Sequence, residues 1–136
     1  MKIKTAFIFD YCGEPEEEAE FAQKILSDNG FDIQNVLLGN QASDLQQFTG
    51  RLDLVLVDFG GLSYGLGGEA DKNINMICQW AEDHPGTLIV IWTAFTQMLY
   101  ENAITFHFGH LDNIVYHYDD SLSEGKFMQK AKEWFG

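Results

Sequence analysis

Residues 52–58 read LDLVLVD, and the apolar core of that run, Leu54 to Val57, shows no alternation with polar residues. A strand with one wet face alternates apolar and polar side chains, whereas a strand covered on both faces does not. This segment is therefore a buried strand of a parallel sheet, and it ends in an acid, Asp58. Residues 4–10 (KTAFIFD) have the same character and end in Asp10, and residues 88–93 (LIVIWT) end in Thr93. Residues 33–38 and 113–118 (NIVYHY) supply two further strand candidates.

Helical patterns separate these strands. Pro15 suits a first helical position, Glu16, Glu17 and Glu18 complement the positive end of the helix dipole, and Ala19, Ala22, Ile25 and Leu26 share one face. Asn29-Gly30 is a stop signal. Ser43 caps a short helix carrying Leu45 and Phe48. Ala70, Ile74, Ile77, Cys78 and Ala81 form a third stripe that ends before Pro85-Gly86. A short helix is expected over 95–102, and a last one over 123–135 with Phe127, Met128, Ala131 and Phe135 facing inward. Strict β–α alternation predicts an α/β fold with right-handed crossovers. The expectation is a single domain, residues 1–136, built on a doubly wound five-stranded parallel sheet of order 2-1-3-4-5, a flavodoxin-like three-layer sandwich.

Composition bounds the function. At 136 residues, 46% hydrophobic and 14% aromatic, the chain can bury a core and is not a disordered one. No apolar run spans a bilayer, and Met1-Lys2-Ile3-Lys4 leads directly into a strand, so a cytoplasmic, membrane-free protein is expected. The net charge of −13 repels phosphates, and the eight Lys and Arg residues form no stripe along the chain, which argues against nucleic-acid binding. Lys126, Lys130 and Lys132 read as a solvated face. Cys78 falls on an apolar helix face and reads as core; Cys12 lies in a loop without a neighbouring base to lower its pKa.

In an open parallel sheet, ligands bind beyond the carboxyl ends of the strands where strand order reverses. That rim carries Asp10, Asp58, Thr93 and the group His117, Tyr118 and Asp119. Strands one and three are neighbours in the expected order, so Asp10 and Asp58 should meet there.

From Phe21 to Ala94 the chain resembles a response-regulator receiver. FAQKILSDNGFDI is similar to the first helix and second strand, RLDLVLVDFGG to the third strand with its acceptor aspartate, and TLIVIWTAF to the fourth strand with its hydroxyl followed by alanine. The resemblance implies that Asp58 is the phosphoacceptor, that Thr93 is the switch hydroxyl, and that Asp10 and Asp58, with Glu14, hold Mg²⁺. It also implies a protein partner docking on the face formed by the helix expected at 95–102, the fifth strand and the last helix. Departures stand beside it. Phe9-Asp10-Tyr11 offers one acid where receivers carry an adjacent pair, His117 or Tyr118 stands where they carry a lysine, and the proline-containing loop after the acceptor is absent. Phosphoryl transfer to a carboxylate needs a divalent cation and a positive group to offset developing negative charge. Histidine meets the second need only when protonated. A degenerate receiver is therefore favoured over an active one.

Two other readings remain open. The run from Gly60 to Gly68 offers backbone N–H groups for an anion nest, with Gly60, Gly61, Ser63 and Gly65 as candidate contacts to a nucleotide or flavin phosphate, although its spacing matches neither GxGxxG nor a Walker loop. An acidic inhibitor or mimic is the other. His107 and His110 are spaced HxxH beside Asp112, a weak metal signal on its own.

Overall fold

The computed structural model describes residues 2–10, 15–39, 43–48, 50–58, 69–92, 110–117 and 126–136. In chain order the elements are β1 (Lys2–Asp10), α1 (Pro15–Asp28), β2 (Asp32–Gly39), α2 (Ser43–Gln46), β3 (Leu54–Asp58), α3 (Glu69–Asp83), β4 (Leu88–Trp92), β5 (Ile114–His117) and α4 (Lys126–Phe135). The helix expected over 95–102 and the start expected for the last helix at 123 lie outside the described residues. Among the described residues no helix is long and apolar enough to cross a membrane.

All strand pairs are parallel, and the sheet runs β2-β1-β3-β4-β5. Strand period sorts the apolar side chains onto two faces. Leu54, Leu56, Leu88 and Val90 join Ala19, Ala22 and Leu26 of α1 and Met128 and Ala131 of α4 in one buried cluster. Val55, Val57, Ile89 and Ile91 join Leu45 of α2 and Ile77, Cys78, Trp80 and Ala81 of α3 in the other. The result is the expected three-layer sandwich. The unbroken LVLV run follows directly, because each of its side chains is 1% exposed or less. At roughly 1.5–3 kcal/mol for each fully buried aliphatic side chain, these four residues rank among the chief stabilising groups.

The helix stops follow local chemistry. At the end of α1 the Gly30 N–H donates to the Ser27 carbonyl (3.1 Å) and the Phe31 N–H to the Leu26 carbonyl (2.8 Å), with Gly30 at φ +88°. This is a Schellman closure, completed by burial of Leu26 and Phe31 in the same cluster. At the end of α3, His84 Nδ1 lies 2.7 Å from the Trp80 carbonyl, which accepts its proton, and the two rings stack at 3.8 Å. Gly39 closes β2 for a steric reason: a Cβ there would sit 2.6 Å from the Phe7 ring.

Polar side chains tie together the amino-terminal rim of the sheet. Asp53 accepts the Lys4 and Thr5 N–H groups (3.0 and 3.3 Å). The Thr87 hydroxyl donates to the Leu52 carbonyl at 2.6 Å. Asn113, 3% exposed, aims its amide nitrogen at the carbonyls of Ala81, His84 and Thr87 (3.0, 3.0 and 2.9 Å), joining α3, the turn after it and the entry to β5.

Candidate functional site

The register assembles the opposite rim. Asp10 is paired with Asp58, Asp58 with Trp92, and Trp92 with His117, so the last residues of β1, β3, β4 and β5 form one row across the sheet. Neighbouring strands are ~4.8 Å apart, which puts the backbone positions of Asp10 and Asp58 side by side. His117 stands two strands beyond Asp58, ~10 Å away on the same spacing. The reason is topological: the chain leaves β1 through α1 toward β2 and leaves β3 through α3 toward β4, in opposite directions along the sheet, and the ends of β1 and β3 lie at that reversal.

Of the residues singled out in the sequence, Asp10, Asp58 and His117 thus lie on the row. Thr93, which follows Trp92 directly, lies outside the described residues, as do Glu14, Gly60, Gly61, Ser63 and Gly65. Helix α3 does begin at Glu69, immediately after the glycine-rich run. Trp92 was not anticipated as the residue between Asp58 and His117; the apolar pattern marks the strand but not which position faces which across it.

The row thus holds two aspartate positions side by side in a chain of net charge −13. The donor type fits Mg²⁺, a hard ion bound through one or two carboxylates with water completing its shell. His117 is the last residue of β5.

Other candidates resolve as structural. Cys78 is fully buried, and burial pushes its thiol up to about 12, the behaviour of an inert core residue. His110 lies exposed with Nε2 3.8 Å from Glu82, while His107 lies outside the described residues. On α4, Lys132 is exposed as expected, whereas Lys130 is half-buried and its ammonium lies 5.6 Å from the centre of the Trp134 ring.

An α/β sandwich with this strand order and an acid at the ends of β1 and β3 has the fold of a response-regulator receiver. Solved structures agree. The chain is similar to RcsB from Salmonella enterica serovar Typhimurium bound to promoter rprA in the presence of the phosphomimetic BeF3−, at 16% identity and TM-score 0.56 over 95% of this chain and 58% of that one. It is similar also to a structure of the Salmonella typhimurium RcsB response regulator concerned with conformational dynamism for DNA interaction, at 17% identity and TM-score 0.54 over 97% and 57%. The chain thus spans under three-fifths of the length of these relatives. No protein-family model matches, and neither does any curated protein.

Proposed function

We propose that the chain is a receiver-like signalling module that acts through contact with a protein partner, and that its phosphoryl chemistry is degenerate. One observation carries the reading: the register sets Asp10 opposite Asp58 at the reversal of strand order, with His117 in place of a lysine at the end of β5. On this reading Asp58 is the acceptor position or its vestige, Asp10 and Glu14 complete a Mg²⁺ site, and Thr93 is the switch hydroxyl. When bound, Mg²⁺ supplies charge neutralisation between the carboxylates. The chain's own contribution is to hold Asp10 and Asp58 on rigid neighbouring strands.

An imidazole carries its charge only in part at neutral pH, and a single acid at the end of β1 gives the cation a poorer shell than a pair does. Both losses fall on the stabilisation that phosphoryl transfer depends on most. The output surface on this reading is β5 with α4 and the helix expected over 95–102. Promoter DNA is the ligand of the similar RcsB structure; the net charge of −13 argues against the same ligand here.

The test is incubation with Mg²⁺ and a small phosphodonor such as acetyl phosphate, followed by intact mass measurement. The expected result is no stoichiometric gain of a phosphoryl group. A full gain that disappears in Asp58→Ala would make the protein an active receiver and overturn the degenerate reading.

A further inference from the structure

At the rim opposite the carboxylates the charge of the molecule reverses locally. A cavity of about 390 Å³ opens at the amino ends of β1 and β3, lined by Lys2, Lys4, Arg51, Asp53, Gly86 and Trp134 among others. Three of the eight Lys and Arg residues of this acidic chain therefore converge on one hollow. Lys2 and Lys4, two apart on a strand, project to the same side. Neither ammonium has an ion-pair partner among the described residues.

The one acid in the hollow is already engaged. Asp53 accepts two backbone N–H groups and lies 3.4 Å from Arg51 Nε, with 18% of its side chain exposed against 82% for Arg51. The carboxyl end of α4 adds about half a negative charge nearby, and Lys130, 5.6 Å from the Trp134 ring, adds a positive one. Asp32, exposed and in register with Lys2 across β1 and β2, adds a second acid, so four cationic side chains stand against two carboxylates and the helix end, and the half-buried Trp134 contributes an aromatic surface beside them. The volume lies within the range of small-molecule sites.

We infer that this hollow binds a small organic anion in which a phosphate is joined to a planar ring, as in a nucleoside monophosphate. Lys2, Lys4 and Arg51 meet the phosphate and Trp134 meets the ring. The site is separate from the Asp10–Asp58 row and does not depend on it.

Gly86 supplies a clean perturbation. A Cβ there meets nothing within 4 Å and its backbone is outside the left-handed region, so Gly86→Glu places a carboxylate at the hollow without strain. The experiment is an amide and indole NMR titration of the whole chain with adenosine monophosphate, adenosine and inorganic phosphate. Adenosine monophosphate is expected to shift the Trp134 indole and the amides of residues 2–5 saturably, with the other two probes at least about tenfold weaker, as loss of a stacked ring or of the charge requires. Gly86→Glu and the exposed-residue pair Lys2→Gln/Lys4→Gln should each weaken binding about tenfold while leaving the thermal midpoint unchanged. No saturable shift, equal binding of inorganic phosphate alone, or undiminished binding in both variants would overturn the inference.

Discussion

Replacing Asn113 by alanine removes the polar joint at the foot of the sheet, and its cost can be worked from the geometry. The amide nitrogen has two protons to share among three carbonyls at 2.9–3.0 Å. Two of those carbonyls keep another donor, since the His84 N–H reaches Ala81 (3.2 Å) and the Thr87 N–H reaches His84 (3.1 Å). The Thr87 carbonyl is therefore the group left in greatest deficit. An unsatisfied buried acceptor costs ~1–3 kcal/mol, and weakening the other two adds a smaller amount, giving about 2–3 kcal/mol in total. For a chain of this length that corresponds to a fall in thermal midpoint of about 8–12 °C. Urea and thermal unfolding followed by circular dichroism measure it. Asn113→Asp keeps the shape but presents an acceptor to three acceptors, so it should cost at least as much near neutral pH. A loss below about 0.5 kcal/mol in Asn113→Ala, or a neutral Asn113→Asp, would refute the donor role.

Two further outcomes rest on single residues. Gly30→Ala meets no atom within 4 Å but forces a side chain into φ +88°, so it should destabilise by ~1–2 kcal/mol through the backbone alone, measured as a shift in urea midpoint without a change in slope. Cys78, its thiol held neutral up to about 12 against an ordinary 9.0, stabilises the fold fully below the ordinary value, and that stability is lost as pH rises from 9 toward 12. Stability against pH should therefore fall more steeply above pH 9 in the wild type than in Cys78→Ala, and parallel curves would refute the assignment.

Most of the architecture was legible because burial on both faces leaves a direct mark. The runs at 54–57 and 88–91 have no polar interruption since helices cover the sheet on either side, and β–α alternation then makes the sheet parallel; the order 2-1-3-4-5 is one of the doubly wound orders that this alternation allows. Boundaries were less legible. The third strand, expected from Leu52, begins at Leu54, although the Asp53 N–H still donates to the Thr5 carbonyl (2.9 Å) and its carbonyl accepts from the Leu88 N–H (3.1 Å). The first strand, expected from Lys4, begins at Lys2, where β2 extends the pairing to Asp32.

The site was legible where topology alone decides it. Asp10 meets Asp58 because both end neighbouring strands. What comes together only through register was not: Trp92 between Asp58 and His117, and the approach of Lys2 and Lys4 to Arg51, whose sequence separation hides a local reversal of charge within an acidic composition.

Paramagnetic broadening by Mn²⁺, standing in for Mg²⁺, tests the central claim most directly, because it reports where a divalent cation settles on a chain of net charge −13. At substoichiometric metal, the account predicts loss of amide signal at residues 10 and 58 first, reversed by excess Mg²⁺ and absent in Asp10→Asn. Broadening that starts instead at the exposed acids of α1, Glu16 and Glu20, or that persists unchanged in Asp10→Asn, would contradict it.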